Sequence, residues 1–422
     1  KPLFQNIRSF VLSQIIKPYR PQKRFLSLIS TGGKNAIAVR NGFSIQGNWV
    51  WQWKNWIDQR FIQRFTKLTP MKRLPSNNLV AEFDEQMHCG GCGSKVSADL
   101  LGEVLADMGY PSEEQDDAAF SSVPSGKLLV QSVDHFRSFV DDPYMLARIS
   151  VCHAMSDIYA CGGEAVSAMA LMALPFAKPN VTRGLLTQLM RGTLDQLNIE
   201  GATLTGGHTS EGVELSLGCS VNGYVDEDRV WKKRGARPGD KLILTKALGT
   251  GTIFAADMQF KAKGQWVSAA LSMMLTSNKM ASLVLKDFAV SACTDVTGFG
   301  LAGHCLEMLG SDGIGISIQT SRLPIIEGSL ECLKQLDISS SLHESNRRSA
   351  LASEKLYPSA AGQGGELAEN HIIFDPQTSG GLLVAVDGDA ADDCLRALID
   401  AGCTEARIIG DVTDTGNLLI SD

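Results

Sequence analysis

The sequence predicts a mixed α/β protein of two domains, preceded by a separate basic appendage. Three observations predict it. At 422 residues the chain is too long for one ordinary core. From about residue 80 onward, strand-like runs alternate with helix-like runs. The charge is also divided: residues 1–74 carry 14 Lys and Arg against one acid, Asp58, whereas the remainder carries 25 basic and 45 acidic residues. A front part at +13 and a main part at −20 imply different partners. The basic part suits anionic lipid, nucleic acid or an acidic protein surface. The acidic part is unsuited to nucleic acid and well suited to collecting divalent cations. Hydrophobic content of 44% and charged content of 20% fit a soluble globular protein. No apolar run reaches the ~18 residues of a membrane-spanning helix. The chain begins with Lys1 and shows no signal-peptide pattern, so a piece of a longer polypeptide is expected.

The appendage is expected to run to about Leu74. Within it Trp53, Trp56, Ile57, Arg60, Phe61, Arg64 and Phe65 recur at steps of three and four, an amphipathic helix of aromatic and basic character. Such a helix lies on a membrane surface or docks on another domain; the sequence leaves both open. Pro75-Ser76-Asn77-Asn78 reads as a linker. Val96–Met108 has helical spacing. Leu128–Val133 reads as a buried strand ending at Asp134. Asp142-Pro143 is an N-cap and N1 pair opening a helix that Gly162-Gly163 ends. Leu215, Leu217, Cys219 and Val221 alternate as a half-buried strand does. A second domain is expected after Arg237-Pro238-Gly239, with strands at Leu242–Leu244, Gly381–Val386 and Ala406–Ile409. Gly249-Thr250-Gly251 turns the chain into a helix.

Ten cysteines make no secreted disulfide pattern, which favours a reducing, cytoplasmic compartment. Cys152, Cys161, Cys219 and Cys305 read as small buried hydrophobes. Cys89 and Cys92 form the one close pair, in His88-Cys89-Gly90-Gly91-Cys92-Gly93-Ser94-Lys95. An ammonium near a thiol lowers its pKa, so Cys92 beside Lys95 is a candidate nucleophile, and Lys95 also suits a phosphate. Half a zinc site and a redox pair compete with that reading, without a second half or a thioredoxin-like context. Asp116-Asp117, Asp134, Asp157 and Asp295 occupy loops, strand ends and a helix. Carboxylates that converge repel one another unless cations sit between them, and hard oxygen ligands favour Mg²⁺, which in turn favours phosphate. Singly, each Asp reads as a cap or turn residue. Thr205-Gly206-Gly207-His208-Thr209, Leu248–Gly251 and Thr378–Gly381 are glycine-rich turns that can bring amides to phosphate or simply turn the chain. Gly298-Phe299-Gly300-Leu301-Ala302-Gly303 matches a dinucleotide-binding pattern, but Ser291–Asp295 before it is a poor candidate strand.

The motifs taken together resemble those of selenophosphate synthetases, the selenide, water dikinases. They run in the family's order from residue 86 to the end: Cys92-Gly93-Ser94-Lys95, Asp116-Asp117-Ala118-Ala119, Ser132-Val133-Asp134, Met155–Gly163, Thr205–Thr209, Leu244–Gly251, Thr294–His304 and Asp375–Leu382. The resemblance implies an N-terminal ATP-binding domain at 86–238 and a C-terminal domain at 239–422, after a linker at 75–85. It implies two α/β (α+β) domains of the aminoimidazole ribonucleotide synthetase-like fold and a homodimer. It implies conversion of ATP, selenide and water to selenophosphate, AMP and orthophosphate. Cys92 and Lys95 fall on the family's catalytic pair. Asp117, Asp157 and Asp295 fall on its metal ligands. Lys95, Asp117, Asp134, Gly206, Gly207, His208 and Thr209 fall on its ATP site. Mg²⁺ is the implied cofactor, with K⁺ as a further ion. Two positions depart from the family: Ser94 stands where a second Cys is common, and His153 where Asn is common, which leaves the ligand set open. Tyr19–Leu26, Thr31–Ala38 and the Trp-rich helix resemble the C-terminal tail of type II NADH dehydrogenase-like flavoproteins. That implies a flavoprotein partner domain in a parent fusion, with neither FAD nor NADH bound by this chain, and leaves open a peripheral contact of residues 1–74 with the inner face of a membrane.

Overall fold

A computed structural model describes residues 26–66, 96–109, 121–310, 313–358 and 371–421. Expectations for Tyr19–Phe25, the linker Pro75–Asn78, the Cys89–Lys95 segment and Asp116-Asp117 lie outside the described residues, as do the side chains of Arg64 and Phe65. The chain divides into two units, 1–88 and 89–422.

The first unit is a meander of β1 (Ser27–Gly32), β2 (Asn35–Arg40) and β3 (Phe43–Gly47), followed by helix α1 (Asn48–Thr66). Both hairpins turn on two residues of positive φ, Gly33-Lys34 and Asn41-Gly42. That is the mirror-image turn whose twist matches paired strands. Helix α1 packs on the sheet through Val50 and Trp51, against Ala36, Ala38 and Leu28. Trp49, Trp53, Trp56 and Phe61 remain exposed, with the Arg60 guanidinium 5.0 Å from the Trp56 ring centre. The predicted aromatic stripe is therefore on the surface, and a different stripe meets the sheet.

Among its described residues the second unit holds two sheets. The first is four-stranded, in the order β4-β7-β5-β6. These strands are β4 (Lys127–Arg137), β5 (Glu164–Pro175), β6 (Thr203–Gly212) and β7 (Ser216–Asp226). One face is covered by α3 (Pro143–Ala160) and α4 (Pro179–Glu200), whose Leu146, Met155, Ile158, Leu186 and Leu189 pack on Ala168, Ala170, Met172, Cys219 and Val221. Helix α2 (Ala98–Asp107) joins that core through Val104. Helix α3 begins as its cap predicts, with the Asp142 carboxylate accepting the Met145 N–H at 3.1 Å.

The second sheet has seven strands in the order β11-β14-β10-β13-β8-β12-β9. Its strands are β8 (Lys241–Leu244), β9 (Val290–Asp295), β10 (Gly315–Gln319), β11 (Leu356–Pro358), β12 (Leu382–Val386), β13 (Arg407–Thr413) and β14 (Leu418–Ser421), with β9 and β11 at the edges. Alternate side chains feed opposite layers, as a strand requires. Leu242, Leu244, Leu383 and Ala385 pack with α8 (Gly300–Leu309). Ile243, Val384 and Val386 face Leu285 and Leu398 on the other side.

Four local expectations need correcting. Leu128–Val133 is a strand but not a buried one, because Leu128, Leu129 and Val133 are exposed. Asp134 does not end its strand, because β4 continues to Arg137 in register with β7. Thr205–Thr209 is not a turn but the middle of β6, pairing parallel with β5. Gly207 serves that pairing, since a Cβ there would sit 2.2 Å from the Ala170 carbonyl oxygen. Residues 291–295 do form a strand, β9, because small Ala292 and Cys293 bury fully and the Ser291 hydroxyl is satisfied by Asp240 and the Ala385 carbonyl. That strand pairs antiparallel with β12 alone, on the sheet edge, so the glycines after it do not belong to a parallel βαβ unit.

Candidate active site

Three elements bring carboxylates to one place. Strand β4 supplies Asp134, helix α3 supplies Asp157, and the C-terminal end of β9 supplies Asp295. The Ser132 hydroxyl, two residues before Asp134 on the same face of β4, donates to the Asp157 carboxylate. Asp295 is pushed up to about 6, first by burial and then by the Asp157 charge; the Ser156 hydroxyl opposes this. Asp134 is raised by burial as well; the facing His153 opposes the shift, and Asp157 and Asp295 add to it. The Asp157 charge thus makes both Asp134 and Asp295 harder to ionise. Among the described residues, none of the three is paired with a Lys or Arg. Like charges held in that way ask for a cation.

Around them the polar groups are tightly paired. Asn278 donates to the Ser156 hydroxyl at 2.8 Å and to the Gly380 carbonyl at 2.9 Å, which ties α3 to the β12 approach. Its own carbonyl oxygen is buried without a protein partner. A small cavity of about 60 Å³, lined by Lys246, Thr276, Asn278 and Cys403 among others, lies on this side and has room for ordered water. The Lys246 ammonium is buried, lowered to about 8 by loss of hydration, and donates to the Ser379 carbonyl at 2.9 Å. Behind Asp295, the Thr297 N–H donates to His304 Nε2 at 3.0 Å, and His304 Nδ1 meets Glu307 at 3.1 Å. Glu307 is pulled down to about 2 by that bond and by Lys233.

Two of the three glycine-rich segments spend their amides inside the protein. Gln377 Oε1 accepts the Gly249 and Thr250 N–H groups at 3.0 and 3.2 Å, filling the N-terminus of α5 (Thr250–Met258). Gly251 lets this plug approach, since a Cβ there would stand 2.4 Å from the Pro376 carbonyl oxygen. The Ser379 N–H goes to His153 and the Thr378 N–H to the Thr250 hydroxyl. Those turns are structural, the plainer of their two readings. The third segment is placed differently. Asp134, Cys219, Ala170 and Gly207 form one cross-strand row. Three strand spacings put Gly207 about 14 Å from Asp134 along the sheet.

Asp134, Asp157 and Asp295 are therefore brought together, and Gly206–Thr209 lies across the same sheet. Cys92, Lys95 and Asp117 are outside the described residues. Among the described residues no three His, Cys, Asp or Glu side chains make a metal-holding set by themselves. Sequence reasoning missed Asn278, which sits in an ordinary-looking polar link between two helices. It also missed Glu200, a carboxylate 2% exposed that accepts from Tyr159, Gln196 and Ser277 at 2.7, 2.8 and 2.9 Å. Its one signal was its place at a helix end before Gly201.

Residues 115–225 match the N-terminal domain, and residues 237–421 the C-terminal domain, of AIR synthase related proteins. A selenide, water dikinase of Clostridioides difficile is 32% identical over 351 residues, covering 81% of this chain and 98% of that protein. The chain belongs to the selenide, water dikinase family. Membership makes it a kinase-type phosphotransferase. A family member from Pelobacter propionicus is 35% identical over 332 residues, covering 77% of this chain and 93% of its own. Among solved structures, E. coli HypE superposes with a TM-score of 0.61 at 18% identity, covering 77% of this chain and 94% of that one. Thiamine-monophosphate kinase of Stenotrophomonas maltophilia gives 0.55 at 17% identity, covering 77% and 96%. These likenesses establish the two-domain AIR synthase-like fold.

Proposed function

We propose that the chain converts ATP, selenide and water into selenophosphate, AMP and orthophosphate. The observation that carries this reading is the Asp134–Asp157–Asp295 group, in which the Asp157 charge raises both other carboxyls and, among the described residues, no Lys or Arg pairs with any of the three. The relatives named selenide, water dikinase supply the substrate class. The donor set fits Mg²⁺, because all three are hard oxygen ligands whose mutual repulsion a cation would relieve. Asp157 and Asp295, with Asp117, would hold it. When bound, Mg²⁺ neutralises charge developing on phosphate oxygens. Asp134, Lys95 and Gly206–Thr209 would line the nucleotide. Lys95 balances phosphate charge, and the Cys92 thiolate handles selenide before the γ-phosphoryl group moves to it. Water then attacks the remaining diphosphate.

The test is anaerobic incubation of the chain with ATP, Mg²⁺ and selenide, followed by phosphorus NMR. Selenophosphate and AMP should appear together; folded, metal-supplied protein that forms no selenide-dependent AMP sinks the reading. Replacing K⁺ by Na⁺ in the same assay tests the further ion.

The chain is proposed to act as a homodimer. The face of the four-stranded sheet turned away from α3 and α4 exposes Val133 and Met169, and among the described residues no strand pairs with the outer edges of β4 and β6. Sedimentation equilibrium reads this directly. For residues 1–74, the exposed Trp49, Trp53, Trp56 and Phe61 beside Arg60 support peripheral contact with anionic lipid at the cytoplasmic face of a membrane. No described helix is long and apolar enough to cross one. A double Trp53→Ser, Trp56→Ser variant should lose co-sedimentation with anionic vesicles. The resemblance of this unit to a flavoprotein tail supports a parent fusion that delivers reduced selenium locally.

A further inference from the structure

His153 stands where the two lobes of the second unit meet beside the acidic group. One edge of its ring is read by the second lobe, since Nδ1 accepts the Ser379 N–H at 3.0 Å. The other edge faces the first lobe, with Nε2 3.8 Å from Asp134 Oδ1. Phe136, on the same strand as Asp134, packs edge-on to the ring at 5.5 Å between centres. A nitrogen that accepts an N–H carries no proton of its own, so the neutral ring has its proton on Nε2, aimed at the carboxylate. Burial, the largest influence on the ring, holds it in the neutral form.

Ser379 is not free to relax this arrangement. Its φ of +51° lies in the left-handed region, which a residue with a Cβ adopts only when held there. Its hydroxyl donates to the Met274 carbonyl at 2.7 Å, and its carbonyl accepts the buried Lys246 ammonium at 2.9 Å. The direction of the Ser379 N–H is thus set by two contacts within the second lobe. The remaining 3.8 Å exceeds a made hydrogen bond, and a shift of under about 1 Å closes it.

We propose that His153 is a positioning residue, locked by the Ser379 N–H in the Nε2–H tautomer so that it orients the Asp134 carboxylate toward the nucleotide. This couples the second lobe to a first-lobe carboxylate through one imidazole. It rests on the reading of Asp134 as part of the ATP site, and the test separates the two.

The test uses the full chain with ¹⁵N-labelled histidine and two variants. The His153 signals, assigned by their loss in His153→Phe, should show a protonated Nε2 and a bare Nδ1. His153→Phe keeps the ring volume and loses both nitrogens; KM for Mg·ATP should rise about 10-fold while kcat changes less than about 3-fold. His153→Gln also loses the acceptor for the Ser379 N–H, yet its side-chain amide reaches the Nε2 position and can donate to Asp134. It should keep KM within about 3-fold of the parent despite a lowered Tm like that of His153→Phe. A protonated Nδ1 in the parent, or equal KM changes in the two variants, overturns the proposal. Failure of the parent to make AMP would instead overturn the functional reading and leave the tautomer result standing.

Discussion

Asp375 and Asp295 lie within the same unit, and burial raises both carboxyls to the same extent, but the groups beside them differ in kind. Asp375 is fully buried and pushed up to about 6 by loss of hydration. Its partners are neutral donors: the Thr252 hydroxyl at 2.7 Å and Gln377 Nε2 at 2.9 Å. Gln377 in turn spends its oxygen on Gly249 and Thr250. The set is closed, and no group in it lacks a partner. Asp295 also stands at about 6, but the influence next to burial is the charge of Asp157, another carboxylate. That set is open and asks for a ligand. A perturbed carboxylate therefore marks chemistry only when its neighbours share its charge; when they are neutral donors it marks architecture.

The largest expected effect tests the open group. Asp157→Asn should cut selenide-dependent AMP formation by about 1,000-fold or more, since it removes the negative charge of a proposed metal ligand. Its unfolding midpoint without nucleotide should stay level or rise. Quenched-flow product analysis beside a urea titration reads both, and a stability loss that accounts for the lost activity would erase the contrast.

The closed group should behave in the opposite way. Gln377→Ala strips the partner from two helix amides and leaves Asp375 short of a donor. At about 1–3 kcal/mol for each buried polar group left unpaired, a loss of roughly 3 kcal/mol is expected. Activity per folded molecule should stay within about 3-fold. Loss of the reaction in a still-folded variant would mean that the plug belongs to the chemistry after all.

Much of this architecture was legible in sequence because its signals are local. The Asp142-Pro143 start, the Gly162-Gly163 stop and the alternation through Leu217, Cys219 and Val221 depend on neighbours within a few positions. The acidic residues were legible as a list, since Asp134, Asp157 and Asp295 each lie in a distinctive motif. What could not be read was who pairs with whom. Gln377 capping a helix that begins 127 residues earlier, and Asn278 reaching Ser156, are products of tertiary packing. The glycine runs stayed ambiguous for the same reason: an amide is available to phosphate only if nothing else in the fold has taken it. Strand β9 was missed because its burial comes from its neighbours in the sheet, and small residues such as Ala292 and Cys293 carry little strand propensity of their own.

A smaller effect follows from pH. A carboxyl whose folded pKa is raised binds more protons in the folded than in the unfolded state between about 4 and about 6. Stability from Asp295 therefore falls as pH rises through that window, and the ionised group burdens the fold above it. Asp295→Asn should stabilise the nucleotide-free protein at pH 8 by up to about 2–3 kcal/mol, and the difference should vanish near pH 4. Mg²⁺ should raise the parent's Tm more at pH 8 than at pH 5. Chemical denaturation of parent and variant across pH 4–8 checks the sign, because Asp375 is common to both and cancels. A difference that grows toward low pH would mean that Asp295 is held as a satisfied anion, like Glu307, and that the open group is not open.

The smallest effect comes from carboxylates that are neither buried nor crowded. Glu103 and Asp107 on α2 both meet Arg183 of α4, with side chains roughly half exposed. Solvent screens such pairs, and ordering long side chains offsets much of the attraction. Arg183→Ala should cost no more than about 1 kcal/mol, shrink further in 1 M salt and leave AMP formation unchanged, because Val96 and Val104 still seat α2 in the core. The same two-carboxylate geometry thus has little consequence in water. A large, salt-insensitive loss would show that Arg183 is shielded in the working protein, and so that the face carrying α2 is covered by something besides solvent.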